Sequence, residues 1–288
     1  MTAVYFSLAM GGLVWPTRGG AETIELFPTD DGFVRQNFAT LCYGTAGALS
    51  VADASQHTGR FDTAIRFDTS AAADQFGALF GPGEWTLTSA VLHLREVGAP
   101  MNPVFSQGIG LFEVRWLSND DWVEGTGFPF GPTIGMGNQL TWNLLPMLIA
   151  TGIQTWLGTY SNAGLTMVHL LELALEPDLV ADVDSGSPVT LHLLAASPTI
   201  GFVFNSGDYE ASTAVHPRLV LTATGPMAVP GDLDGDADVD LTDYAQFAGC
   251  LGGPNVPAAV DCDAADLDGD TDVDLFDVGE FANQFTSA

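Results

Sequence analysis

Apolar and polar positions alternate in short runs from residue 22 to about residue 224. The runs TIELF (23–27), TAIRFD (63–68), SAVLHL (89–94), GLFEVRW (110–116), VTLHLL (189–194), GFVF (201–204) and RLVLTA (218–223) all have strand character. In GLFEVRW, Phe112, Val114 and Trp116 share one face while Glu113 and Arg115 take the other, the period of a half-buried strand. Clusters of Gly, Pro, Asn and Asp separate the runs, as turns require. Helical periodicity is confined to NLLPMLIATGIQTWLG (143–158), a short helix that Pro146 is expected to interrupt. Many short strands joined by turn-rich segments predict a mainly β chain, with a jelly-roll β-sandwich over 22–224. His93 and His192 alternate with leucines and are expected to face outward from the sheet; His57 falls in a loop.

The alternation stops at GPMAVP (225–230), a linker containing Pro and Gly. Beyond it, DLDGDADVD (232–240) and DLDGDTDVD (266–274) are nearly the same nine residues, 34 positions apart. With Asp232 as position 1, Asp234, Asp236, Asp238, Asp240 and Asp243 stand at positions 3, 5, 7, 9 and 12. From Asp266 the same positions hold Asp268, Asp270, Asp272, Asp274 and Asp277. These are the ligand positions of a twelve-residue EF-hand-type calcium loop, with hard oxygens at 1, 3, 5 and 12 and a backbone carbonyl at 7. Position 8 is apolar in both (Val239, Val273), as two loops paired back to back require. After each loop an i, i+3, i+7 stripe follows: Tyr244, Phe247 and Leu251, then Val278, Phe281 and Phe285. The repeat is therefore a loop plus a helix, twice, forming a small α domain over 231–288.

Charge sharpens the boundary. Residues 231–288 hold 14 Asp, one Glu and no Arg, so −15 of the net −29 lies in the tail. Two Ca²⁺ would bring −15 to −11 and place positive charge where the carboxylates are densest. So small a domain gains folding free energy from bound metal. Cys250 and Cys262 bracket a turn-rich loop between the repeats and, in an exported chain, predict a disulfide worth about 3 kcal/mol. Cys42 is left over as a small apolar filler.

The duplicated loop-helix unit, with Asp at position 12 and a cysteine pair between the units, resembles a dockerin domain. The resemblance implies two bound Ca²⁺ and docking onto a cohesin-like or other cell-surface scaffold protein. Position 6, usually Gly, is Ala237 and Thr271, each expected to cost about 1–2 kcal/mol of backbone strain. Positions 10 and 11, which choose the partner in scaffold-docking relatives, are Leu241–Thr242 and Leu275–Phe276, more apolar than the usual hydroxyl pair.

In the large domain, FPTDDGFVRQ (27–36), TAIRFD (63–68), TSAVLHL (88–94), DDWVEGTG (120–127), LTWN (140–143) and HPRLVLTA (216–223) occur in the order found in DNRLRE-type domains. These are jelly-roll modules similar to carbohydrate-binding modules of secreted bacterial proteins. The resemblance implies adhesion to polysaccharide or a surface role, without catalysis. The domain has no Lys and few Arg, so a neutral glycan is expected. Trp122, Trp142, Trp156, Tyr160 and Tyr209 lie in or beside loops and are the candidates to stack on sugar rings. Anchoring a core or a loop is the commoner use of such rings.

Residues 1–16 carry no charge and TRGGAE follows, which reads as a signal peptide over 1–21, although its basic n-region is missing. The other reading is a buried first strand or helix. No other run reaches the ~18 apolar residues of a membrane span. The expected location is therefore secreted or cell-surface. Acids outnumber bases 36 to 7, and all seven bases are Arg, which excludes nucleic acid as a partner. H-E-x-x-H, G-x-S-x-G and P-loop motifs are absent from the sequence, and without Lys a Schiff-base or Walker mechanism is excluded. Asp120, Asp121 and Glu124 are the residues from which a glycosidase pair would come, but their place inside DDWVEGTG favours a structural role. The sequence thus predicts a noncatalytic, calcium-binding docking protein with a glycan-binding front domain. Alternatives are a polysaccharide-degrading enzyme delivered by the same tail, or an envelope spacer without a ligand.

Overall fold

A computed structural model describes residues 19–55, 59–97, 108–128, 131–163, 168–209, 212–226, 229–235 and 238–285. Most of the expected signal peptide, together with His57, Asp236 and Ala237, lies outside them. The chain divides into two compact units, Ala21–Gly225 and one that contains Pro226–Ala288.

In chain order, strands β1 (Gly19–Leu26), β2 (Pro28–Arg35), β3 (Leu41–Cys42), β4 (Ala48–Ala52) and β5 (Phe61–Phe67) lead to helix α1 (Ser70–Phe80). Next come β6 (Thr86–Arg95), β7 (Gly110–Leu117), β8 (Thr133–Ile134), α2 (Leu145–Thr151), β9 (Gln154–Asn162) and β10 (Val168–Glu172). Helix α3 (Pro177–Ser185) precedes β11 (Val189–Ala195), β12 (Gly201–Asn205) and β13 (Arg218–Pro226). The tail contributes α4 (Leu241–Cys250) and α5 (Leu275–Gln284). The expected signal cleavage after Ala21 falls three residues into β1.

The larger unit is a mainly β sandwich. One sheet has the order β1-β13-β6-β10; the other runs β12-β4-β5-β11-β7-β9, with β2 also paired to β5. Successive strands cross between sheets (β5 to β6 to β7, then β9 to β10 to β11), as in a jelly roll. All seven alternating runs are strands. Phe112, Val114 and Trp116 enter the core, as do Leu92 and Leu94 from β6 and Leu219 and Leu221 from β13.

Three expectations are corrected. The larger sheet is covered on both faces: Val34, Ala64, Leu117, Trp122, Leu140, Leu145 and Leu148 form a second apolar cluster outside it. His192 is consequently buried, within 2.7 Å of the Gln154 amide and 3.3 Å of Asp62. Pro146 occupies the first turn of α2, where its missing N–H is needed by no partner, so it starts the helix. The end of that segment, from Gln154, is β9. Finally, α1 and α3 were not foreseen; both pack on the main core, through Ala72, Phe76 and Phe80 and through Leu179 and Val183. Gly186 closes α3 in the left-handed region (φ 67°), and a Cβ there would come within 3.1 Å of the Ser70 Cα.

Candidate metal centre

The tail's two loops share their anchoring contacts at positions 1, 4, 9 and 12. Position 12 anchors each. The buried Asp243 carboxylate accepts the N–H groups of Leu233 (2.6 Å) and Asp234 (3.0 Å) on one oxygen and that of Asp240 (2.8 Å) on the other. Asp277 does the same for Leu267 (2.7 Å), Asp268 (3.2 Å) and Asp274 (2.7 Å). Burial alone would raise the Asp277 pKa, but the backbone donors around it outweigh burial and hold it below the usual range.

Position 9 caps each helix. Asp240 accepts from the Thr242 N–H and Asp274 from the Phe276 N–H, each in a reciprocal capping box with the position-12 Asp. One carboxylate thus closes the loop and starts the helix, which explains why the ligand spacing and the apolar stripe repeat together. At position 4, Gly235 (φ 78°) and Gly269 (φ 76°) take the left-handed region and donate their N–H to the position-1 carboxylates. That glycine is part of both repeats, and the ligand count alone passed over it. Thr271 at position 6 has φ 81°, the positive value expected there.

These constraints gather oxygen atoms. Asp232, Asp234 and Asp243 bring carboxylate oxygens within 4.8 Å of one another, as do Asp266, Asp268 and Asp277. So do Asp238, Asp240 and Asp243, and Asp272, Asp274 and Asp277. One oxygen of Asp272 is buried without a hydrogen-bond partner. These groups could hold a metal ion, and an all-oxygen donor set suits a hard cation.

Val239 and Val273 are buried in one cluster with Phe247, Ala265 and Phe281, and the Phe247 and Phe281 rings stack at 4.8 Å. Of the stripe residues, Phe247 and Phe281 are buried and Val278 packs partly buried beside them. Tyr244, Leu251 and Phe285 are exposed, with the Tyr244 and Phe285 rings at the edge of Phe281. The Val273 carbonyl takes the N–H groups of Gly252 and Gly253, tying the second loop to the segment between repeats. Cys250 and Cys262 form the expected disulfide, with Cα atoms 5.6 Å apart. Positions 10 and 11 are open to solvent: Leu241 is 73% exposed, Leu275 81% and Phe276 73%, and Thr242 is exposed.

The five sandwich aromatics separate. Trp122 is 1% exposed, so its ring cannot face a ligand. Its indole N–H donates to the Thr190 hydroxyl (3.2 Å), while Arg66 donates to the carbonyls of Asp120 and Trp122. DDWVEGTG is therefore pinned to the sheet by an anchoring ring and one guanidinium. Trp142 packs partly buried on the outer cluster beside Asp62, Leu145, Pro146 and Ile149. Tyr209 is partly buried, and its carbonyl is held by the His216 ring at 2.9 Å. Trp156 is 50% exposed and Tyr160 half-buried, and both line an open groove of about 480 Å³ with Thr159 and Glu172. The Tyr160 hydroxyl donates to the Glu172 carbonyl, and burial with the Glu172 charge pushes it up to about 12. A Cβ on Gly158 would lie 2.2 Å from that hydroxyl, so the glycine makes room for the ring.

The carboxylates weighed for hydrolysis are engaged. Asp120 accepts from the Thr190 hydroxyl at 2.5 Å, Asp121 from the Asn138 amide at 3.1 Å, and Glu124 from the Asp31 N–H at 3.1 Å. Cys42 is buried with its sulfur 2.9 Å from the Thr133 hydroxyl. Among the described residues, no helix is long and apolar enough to cross a membrane.

No family model matches the chain, and no curated protein matches it. A solved structure described as that of the Macrobrachium rosenbergii nodavirus is similar at 10% identity, with a TM-score of 0.27. That match covers 79% of this chain and 60% of the other, so the chain spans under two thirds of that protein's length.

Proposed function

We propose that residues 231–288 form a dockerin-like module that binds two Ca²⁺ and docks a partner through the exposed residues at positions 10 and 11 of both repeats. One observation carries the reading. Both loops present the same groups of three carboxylates on the same buried position-12 aspartate. The partner is a cohesin-like or other surface scaffold protein with an apolar contact patch, matched to Leu241, Leu275 and Phe276. In the same reading the chain is exported and noncatalytic, and the sandwich presents polysaccharide with the Trp156–Tyr160 groove.

Circular dichroism of the whole chain in Ca²⁺ and then in EDTA tests the metal requirement; loss of the tail's helical signal is expected. Native mass spectrometry should count one ion fewer for Asp232→Ala and one fewer for Asp266→Ala. An unchanged count in either variant would sink the loop assignment.

A further inference from the structure

A second set of carboxylates lies in the sandwich, on segments far apart in sequence. Asp30 and Asp31 stand on β2, Glu124 in the loop after β7, and Asp208 in the turn after β12. They line one cavity of about 130 Å³, together with Thr29 and His216. Asp31 is 1% exposed. One of its oxygens accepts the Gly207 N–H at 2.6 Å; the other is buried with no hydrogen-bond partner. Glu124 reaches back to the Asp31 N–H at 3.1 Å, which fixes the loop carboxylate beside the strand. A half-satisfied carboxylate buried among others is a configuration that proteins rarely keep without a counter-charge.

The nearby guanidinium does not supply it. Arg66 is taken by Asp30 and by the carbonyls of Asp120 and Trp122. One nitrogen of the His216 ring, Nε2, is engaged with the Tyr209 carbonyl at 2.9 Å, and carboxylate oxygens from four residues make up most of the polar lining.

We propose that Asp31, Glu124 and Asp208 bind a hard divalent cation, calcium by their oxygen chemistry, which ties β2, the DDWVEGTG loop and the turn after β12 together. These carboxylates are not drawn as tightly as the four tail groups. Asp208, exposed on its turn, therefore closes onto the ion, and water in the cavity completes the coordination. The site is independent of the tail, and its ion is structural: it spans three segments that no strand pairing joins.

The test is an ion count by native mass spectrometry on the whole chain titrated with Ca²⁺. It is run in a background carrying Asp232→Ala and Asp266→Ala, with the sandwich's melting temperature as a second readout. At least one ion is expected in that background. Asp31→Asn should lower the count by one and abolish the rise in melting temperature on adding Ca²⁺, whatever ions the tail retains. Glu124→Gln, at a partly exposed position, gives the same readout should Asp31→Asn fail to fold. A background chain that binds no ion overturns the proposal, as does a count that neither substitution changes.

Discussion

Asp62 shows how a single residue couples the outer layer to the sheet. It is buried, accepts from Arg60 at 2.8 Å, and lies 3.3 Å from His192. Burial alone would raise its pKa, but His192 and Arg60 outweigh burial and hold it below the ordinary 3.8. A depressed carboxylate contributes stability that is present above its unfolded pKa and lost as pH falls through the folded one. Asp62→Asn should therefore cost about 3 kcal/mol at pH 7, toward the low end for breaking a buried pair because Arg60 is about one-third exposed. The deficit should shrink as pH drops below about 4, measured by urea unfolding of both chains at pH 7 and pH 3. An equal deficit at both would show that the charge is irrelevant. Alternation with leucine specifies which face His192 takes, not whether that face is covered. The same limit hid Trp122, whose burial depends on Thr190 and Arg66, about 60 residues away in either direction. The position-12 aspartates were legible because their partners lie within eleven residues.

At the scale of elements, the period-2 runs were legible and the buried-both-sides strands were not. In β2 four consecutive residues, Asp31–Val34, are buried, which erases alternation. Helix α1 carries a stripe at i, i+4 and i+8 but is short and includes Gly77, so its pattern is weak against the strands around it. The tail's helices were legible because duplication doubled each faint signal. The disulfide, twelve residues apart, links the end of α4 to the segment before the second loop. The chain-entropy model assigns such a closure about 3 kcal/mol, so Cys250→Ser with Cys262→Ser should lower the tail's stability by that amount in saturating Ca²⁺. Phe281→Ala removes the ring that stacks on Phe247 and should cost about 3–5 kcal/mol. In both variants calorimetry should show the tail transition falling while the sandwich transition holds. Joint movement of the two would contradict the division at Gly225–Pro226.

For the whole molecule, charge and hydrophobic pattern change at the same place, and each unit asks a separate question of a partner. The sandwich side of the linker holds 21 acids against seven arginines, so a polyanionic glycan would meet repulsion over most of its surface. A neutral polysaccharide would need an aromatic platform instead, and of the five rings Trp156 is the half-exposed one, with its N–H on Thr159 at 3.1 Å and Tyr160 beside it in the groove. Trp156→Ala should weaken retention on an insoluble neutral polysaccharide by about tenfold, the value of roughly 1.4 kcal/mol of ring stacking. It should leave the melting temperature unchanged, because the ring is half in water. Trp122→Ala should behave oppositely, with a loss of about 3–5 kcal/mol in stability from its buried site and no selective effect on retention. The assay should follow retention and released reducing ends together. Retention that Trp156→Ala abolishes, without release, assigns the groove and the noncatalytic role at once. Release of reducing ends would send attention back to Asp120, Asp121 and Glu124. Retention indifferent to Trp156 would move the glycan elsewhere on the sandwich.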